Sequence, residues 1–438
     1  MSPKRINILT RGCSKNTVDS EHLLAALPAD AFDVVPEGAP VDVQLVNTCG
    51  FIADAKEESI QAILSLAARK SAGEIERLVV FGCLSQRYPE ELKAEIPEVD
   101  EWFGARELEP VVKYLLGLAG VEHAAASQMR HLTSPGLPYA YLKISEGCDR
   151  RCSYCAIPLI RGRHRSVPVE KLVSEARELA SKGVKELIVI AQDTTWYGLD
   201  LYGQRALGRL LHELSEVEGI EWIRLHYSYP DRFPVDVLDE MAANPKICKY
   251  IDIPLQHIAD RILDDMDRGC DGAKTRALVA SFREKVPGVV LRTTMIVGYP
   301  GETEAEFGEL LEFVRQARFE RLGAFTFSPE EGTKAGNRRT DDVPDELKKS
   351  RLDALMGEQA AISSEFNASR VGTIEKVLVD AVMGERLVGR SQYESPEVDG
   401  EIIVSGCPDP DACVGRFIEV RITAADDYDL EAQFIKAL

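Results

Sequence analysis

The amino-acid sequence predicts an α/β protein in three parts: an N-terminal parallel-sheet βα domain, a partial (β/α)6 barrel and a small C-terminal all-β barrel. Three observations carry this. Through residue 118 or so, short apolar runs alternate with amphipathic stretches, as strands and crossover helices do in a parallel sheet. The alternation resumes after a linker and gives six further units with no obvious seventh, which suggests a partial rather than a closed barrel. From residue 370 onward the pattern changes to the two-residue period of strands, with no helical stretch, as in a small β-barrel.

The length of 438 residues agrees with about three domains at roughly 150 residues each. In the first, residues 1–120, the strand-like runs 6–9, 43–46 and 78–81 each precede a helical stretch, at 18–27, 53–68 and 86–96. Residues 121–138, rich in Ala, Ser, Pro and Gly, read as a linker. The second domain, residues 139–369, holds strand candidates at 141–145, 187–191, 222–226, 250–253, 290–297 and 322–325. A polar stretch through Arg338 follows, then a helix over 345–369 that Gly372 ends. In the third domain, residues 370–438, the strands are 373–382, 386–391, 401–404, 415–423 and 431–435.

Composition narrows the function classes. With 45% apolar and 28% charged residues, the chain has material for more than one core. Lys and Arg total 52 against 72 Asp and Glu, a net charge of −20, which opposes binding to nucleic acid by diffuse attraction to phosphates. No run of 18 apolar residues occurs, and Met1-Ser2-Pro3-Lys4-Arg5 leads into a strand rather than a signal-peptide core. A cytoplasmic protein with no membrane partner is expected. Ten cysteines in a large chain without a secretory signal do not form a disulfide framework. Cys248, Cys270, Cys407 and Cys413 have no pattern and read as ordinary core or surface thiols.

The other six fall into two sets of three. Cys148-Asp-Arg-Arg-Cys152-Ser-Tyr-Cys155 follows the first barrel strand, at the carboxyl end where barrel active sites are built. A 4Fe-4S cluster normally takes four thiolates, so three local ligands leave one iron open. A zinc site or three buried thiols are the alternatives, although no second Cys pair of the zinc-knuckle kind follows. Cys13, Cys49 and Cys83 each stand just after an apolar strand, separated by 36 and 34 residues. Those separations equal one βα unit apiece and put all three at one carboxyl edge. Strand neighbours ~4.8 Å apart allow three such loops to share a cluster; buried strand-end thiols fit the same spacing equally well.

At this point a family resemblance enters. The C-x3-C-x2-C motif with aromatic Tyr154 before its last cysteine resembles the radical S-adenosylmethionine enzymes, and three upstream cysteines in their own domain resemble the methylthiotransferases among them. Gly12-Cys-Ser-Lys-Asn-Thr-Val-Asp-Ser-Glu21, Leu142-Lys-Ile-Ser-Glu-Gly-Cys148, Asp252-Ile-Pro-Leu-Gln-His257, Ile296-Val-Gly-Tyr-Pro-Gly-Glu-Thr303 and Phe327-Ser-Pro-Glu-Glu-Gly-Thr333 look close to the RimO type, which modifies a ribosomal protein. The tRNA-modifying relatives typically read Gly-Cys-Gln-Met-Asn at the first of these places and Pro-Val-Gln-Ser-Gly at the third, after the fourth barrel strand; this chain has neither. The resemblance covers essentially the whole chain: a cluster domain, a radical S-adenosylmethionine barrel and a TRAM barrel. It implies two 4Fe-4S clusters. The barrel cluster, on Cys148, Cys152 and Cys155, would bind S-adenosylmethionine and reduce it to methionine and a 5′-deoxyadenosyl radical. The N-terminal cluster, on Cys13, Cys49 and Cys83, would hold the sulfur that becomes the methylthio group. The cofactor carries the difficult chemistry and the protein positions it.

Further cofactor contacts are Tyr154 in the loop, Gln192 and Asp193 after the second barrel strand, Gln256 and His257 after the fourth, and Arg292 within the fifth. Each has a structural alternative: Gln192 and Asp193 as a helix cap, His257 as a satisfied core histidine, and Arg292 turned towards a helix by a one-residue register change. The basic run 161–165 has no assigned role. Three functions compete: methylthiolation of a protein, methylthiolation of tRNA adenosine, and non-catalytic electron carriage. A carrier closes its clusters with four ligands, and both sets stop at three. From Arg370 to Leu438 there are 7 Lys and Arg against 14 Asp and Glu, the wrong sign for gripping RNA and the right one for a basic ribosomal protein. The expectation is methylthiolation of an aspartate β-carbon in small-subunit ribosomal protein twelve, with an electron donor and a sulfur donor as further partners and no tRNA.

Overall fold

The computed structural model describes residues 2–122, 128–338 and 340–438, so residues 123–127 of the predicted linker lie outside the described residues. The chain forms two compact units: Met1–Pro135 with Glu146–Arg150 and Ala156–Arg165, and Gly136–Ser145 with Arg151–Cys155 and Ser166–Leu438.

In the first unit the strands β1 (Lys4–Thr10), β2 (Phe32–Val34), β3 (Val41–Thr48), β4 (Ile75–Gly82) and β5 (Glu101–Trp102) form one parallel sheet in the order β2-β1-β3-β4-β5. The helices are α1 (Ser14–Ala25), α2 (Ala53–Ser71), α3 (Cys83–Arg87), α4 (Pro89–Glu95), α5 (Glu109–Ala119) and α6 (Ile157–Arg161). Side chains alternate across β4, as the strand period requires. Leu78 and Val80 pack with Ile63, Leu66 and Leu84; Val79 and Phe81 pack with Leu23, Val111 and Leu115. A strand buried on both faces reads as a continuous apolar run, which is why the three long strands are legible. The short strands β2 and β5 show no period and are additions to the predicted set. The expected helix over 86–96 is broken into α3 and α4 just before Pro89, whose ring cannot continue a helix from within.

The second unit holds six parallel strands in sequence order: β6 (Tyr139–Lys143), Glu186–Ile190, Trp222–Leu225, Ile247–Asp252, Val290–Val297 and Arg321–Thr326. Among the described residues the first and last strands do not pair, so the expected six-unit partial barrel is found. A helix over Asp345–Ser369 follows, and Gly372, at φ +89°, turns the chain into the last domain. There the strands Ile374–Met383, Arg386–Arg390, Ile402–Ser405, Leu430–Ala437 and Phe417–Ala425 close a barrel in that order. Val377, Leu387, Ile402, Ile418 and Leu430 fill it. Cys407 and Cys413, read as unrelated thiols, have their sulfurs 3.5 Å apart. No helix among the described residues is long and apolar enough to cross a membrane.

Buried ion pairs fasten this barrel within the second unit. Glu186, fully buried, receives Arg224 and Arg390 at 2.7 Å each, and Arg390 also pairs with Asp380 at 2.6 Å. Glu394 lies between Arg370 and Arg321. Asp399 accepts from the Tyr250 hydroxyl at 2.6 Å and stands near Arg292. The acid surplus of residues 370–438 is therefore not wholly a surface charge: Asp380, Glu394 and Asp399 serve the interior.

Removing one partner of such a network leaves the others buried and uncompensated. Glu394→Ala is expected to cost about 3–5 kcal/mol, measurable by chemical denaturation. Burial pushes the Glu394 carboxyl up, but Arg370 and Arg321 hold it down at about 2, against an ordinary 4.5. Its folded-state value lies below its unfolded one, so this stabilisation is complete above about pH 4.5 and is lost as pH falls towards 2.

Candidate active site

The first thiol site is set by register. Thr10 of β1 pairs with Asn47 of β3, and Thr48 of β3 with Gly82 of β4, so three adjacent strands end level. Cys13 caps α1, Cys49 directly follows β3, and Cys83 opens α3. Glycines let these loops touch. A Cβ on Gly12 would lie 2.8 Å from the Cβ of Cys49; one on Gly50 would lie 2.8 Å from the carbonyl of Cys83; one on Gly82, at φ +113°, would lie 2.7 Å from the amide of Thr48. Each glycine thus removes a side chain from a place that a neighbouring cysteine loop occupies.

Side-chain hydrogen bonds fix the loops further. The Ser59 hydroxyl accepts from the Cys49 amide at 3.0 Å and donates to the Cys49 carbonyl at 3.1 Å. Asn16, fully buried, donates to the carbonyls of Arg11 and Thr48, and Asn47 donates to the carbonyl of Asn16. Cys13 is exposed, whereas Cys49 and Cys83 are buried. Burial pushes both buried thiols up, Cys83 to about 11. Among the described residues no three His, Cys, Asp or Glu side chains surround a point that one metal ion could fill. Three soft sulfur donors on separate loops, one of them exposed, fit an iron-sulfur cluster whose ligands sit on different irons.

The second set lies in the loop after β6. Cys148 belongs to the first unit, where its amide donates to the carbonyl of Gly162 at 3.1 Å and its sulfur accepts from the amide of Arg150 at 3.4 Å. Gly147, at φ +77°, leaves no room for a Cβ, which would lie 2.2 Å from the carbonyl oxygen of Arg163. Cys152 and Cys155 belong to the second unit and share a tight turn closed by a 3.1 Å bond from the Cys155 amide to the Cys152 carbonyl. Ser153 pins that turn through the carbonyls of Asp265 and Met266 and the hydroxyl of Tyr299.

Arg268 and Tyr229, neither of them singled out in the sequence, supply the polar surroundings of Cys152. The Cys152 sulfur lies 3.4 Å from the Tyr229 hydroxyl and accepts from Arg268 Nη1 at 3.4 Å. Arg268 also donates to the Tyr154 hydroxyl at 3.2 Å and stacks over the Tyr229 ring at 4.3 Å. Burial raises the Tyr154 phenol above its ordinary range and keeps it protonated. A cavity of about 960 Å³ shares Arg151 and Arg268 with this region.

The other expected contacts divide. Gln256 holds φ +73°, a conformation rare for a side chain other than glycine. Its amide donates to the Thr294 carbonyl at 2.8 Å and its carbonyl accepts from Ile296 at 2.7 Å. Its buried Oε1 has no hydrogen-bond partner among the described residues, so it is an acceptor that a bound cofactor could use. Gln192 stands half-buried just beyond its strand. Asp193 caps the turn Thr194–Trp196, accepting from the Thr195 amide at 2.9 Å and its hydroxyl at 2.6 Å; the cap is the reading its geometry supports. His257 is fully buried, its Nδ1 accepting from the Ala259 amide, and burial lowers its pKa to about 3. It is a neutral buried histidine, and its Nε2 has no hydrogen-bond partner among the described residues. Arg292 pairs with Asp252 at 2.9 Å and approaches Asp399 at 3.7 Å. Its charge is matched inside the fold by these two carboxylates.

Comparisons with known proteins follow the same division. The Radical SAM superfamily profile matches residues 142–314, the profile described as Uncharacterized protein family UPF0004 matches residues 5–104, and the TRAM domain profile matches residues 371–435. The chain is 48% identical over 440 residues to the Ribosomal protein uS12 methylthiotransferase RimO of Bacteroides thetaiotaomicron, covering 99% of each chain. The protein of the same name from Christiangramia forsetii is 49% identical, over 98% of this chain and 94% of the relative. Among solved structures, the radical S-adenosylmethionine methyltransferase TsrM of Kitasatospora setae shares the fold at a TM-score of 0.57 and 14% identity, over 77% of this chain and 74% of that one. The cobalamin-dependent radical enzyme OxsB gives a TM-score of 0.54 at 13% identity, over 82% of this chain and 58% of that one.

Proposed function

Since the chain belongs to the RimO family of ribosomal protein uS12 methylthiotransferases, radical S-adenosylmethionine transferases, we propose that it methylthiolates the β-carbon of an aspartate in small-subunit ribosomal protein twelve. The observation that carries this reading is the presence of two three-thiol sets, each on loops at the carboxyl ends of parallel strands, in a chain alike over its whole length to proteins of that name. Cys148, Cys152 and Cys155 are assigned to one 4Fe-4S cluster and Cys13, Cys49 and Cys83 to a second. When bound, the first cluster and S-adenosylmethionine supply one-electron cleavage chemistry, and the second supplies a site for sulfur.

The chain's own residues hold the frame for this. Gly12, Gly50 and Gly82 let three thiol loops meet. Ser153 fixes the turn between Cys152 and Cys155, and Arg268 places a positive charge against the Cys152 sulfur and orients the Tyr154 hydroxyl. Gln256 Oε1 and Gln192 are the polar groups assigned to S-adenosylmethionine. Asp193, His257 and Arg292 support the walls. An electron donor and a sulfur donor complete the partners, and the cytoplasm, where ribosomal proteins are met, is the assigned compartment. The test is whether reconstituted protein, S-adenosylmethionine and a reductant add a methylthio group to ribosomal protein twelve and leave tRNA unmodified.

A further inference from the structure

The basic run 161–165 follows the second cysteine set in sequence, yet its first residue is buried in the first unit. Arg161, at the end of α6, is 2% exposed. Its Nη1 meets Asp19 of α1 at 2.6 Å and Glu146 at 3.3 Å, and its Nη2 donates to Asn16 Oδ1 at 2.6 Å. That same Asn16 oxygen lies 3.9 Å from the Cys83 sulfur. The rest of α6 reaches the same place, since Ala156 and Ile160 pack with Cys83 and Ala105. Asn16 and Asp19 lie on the helix that Cys13 caps, and Asn16 also ties the strand-end carbonyls of Arg11 and Thr48. Arg161 therefore holds the residue that braces all three thiol loops.

We propose that Arg161 is a positioning residue of the Cys13, Cys49 and Cys83 site: it orients Asn16 beneath the loops and supplies the buried positive charge that offsets thiolate and cluster charge there. The inference rests on the reading of those cysteines as cluster ligands. Three thiolates give a four-iron cluster a net negative charge and Asp19 and Glu146 add to it, so removing the Arg161 cation leaves that negative charge uncompensated in a buried setting, where charges act strongly on one another. A guanidinium suits the task because its planar fork can bond two side chains at once and stays charged when buried.

The test uses the full-length chain with Cys148, Cys152 and Cys155 replaced by Ala, reconstituted anaerobically, so that only the N-terminal cluster is observed. Its midpoint potential is measured by redox titration followed by electron paramagnetic resonance. Arg161→Met should make the cluster harder to reduce by about tenfold in equilibrium constant, which is ~59 mV for one electron. Arg161→Lys should recover most of that shift. Asp19→Asn, which removes a negative charge, should move the potential in the opposite direction. A purely structural tie between α6 and α1 would lower stability in these variants without opposed shifts in potential. Unchanged potentials in Arg161→Met and Asp19→Asn at full iron loading overturn the proposal. If Arg161→Met fails to fold, Arg161→Gln decides in its place: a lowered potential supports the proposal and an unchanged one overturns it. If the parent protein holds no iron on the N-terminal set, the ligand reading falls and takes the inference with it, a result distinct from unchanged potentials.

Discussion

Replacing Cys148, Cys152 and Cys155 together by Ala should halve the iron content of anaerobically reconstituted protein and reduce conversion of S-adenosylmethionine to 5′-deoxyadenosine to background. On the proposed assignment the loop offers three sulfur ligands and no fourth cysteine nearby in sequence, which would leave one iron for S-adenosylmethionine. Loss should be complete, because binding and electron delivery pass through the same cluster. The frame should survive: Ser153 and Tyr299, which anchor the turn, are untouched, and the folded state can be checked by circular dichroism. Unchanged iron content after the triple change would refute the ligand assignment. A fully loaded parent protein that does not cleave S-adenosylmethionine under strong reduction would return electron carriage to first place.

The second large effect separates the two sites by function. Cys13→Ala, Cys49→Ala or Cys83→Ala should each abolish methylthiolated product while sparing cleavage of S-adenosylmethionine. These thiols stand on a different sheet from Cys152 and Cys155, so removing one leaves the Arg268, Tyr229 and Tyr154 surroundings as they were. Gly82→Val should act in the same direction, since it forces a β-branched side chain into a left-handed backbone and against Thr48. Product formation and cleavage are assayed side by side by liquid chromatography and mass spectrometry. Equal loss of both activities from the N-terminal variants would contradict the division of labour.

Much of this was legible in the sequence, for identifiable reasons. The separations of Cys13, Cys49 and Cys83 equal one βα unit each, and a parallel sheet turns such a period into a shared edge. The six barrel strands and the helix over Asp345–Ser369 are long and buried enough to show their periods. The strands Phe32–Val34 and Glu101–Trp102 are too short to do so. The role of Arg161 was hidden because its partners Asn16 and Asp19 lie some 140 residues earlier, at separations of 145 and 142, and a basic run ordinarily marks a solvated surface. Arg268 is likewise joined to Cys152 only by the fold. His257 stands where strand-end logic places cofactor contacts, but its direction depends on the backbone turn at Gln256, which local pattern does not specify; Arg292 lies within its strand, where its direction depends on register.

The same lesson applies to charge. A surplus of acids over residues 370–438 is a property of composition, and the fold spends part of it on Arg321, Arg370 and Arg390 in the interior. Asp409, Asp411 and Glu431 are exposed; on the proposed function they would steer a basic partner, and that effect would weaken as salt shortens the screening length.

Intact-mass and fragment mass spectrometry of ribosomal protein twelve after incubation with the reconstituted enzyme, S-adenosylmethionine and reductant, with tRNA treated in parallel, decides between protein and tRNA as the acceptor. One methylthio group is expected on an aspartate of the protein and none on tRNA. An unmodified protein, or methylthiolated adenosine in the tRNA, would overturn the proposed function.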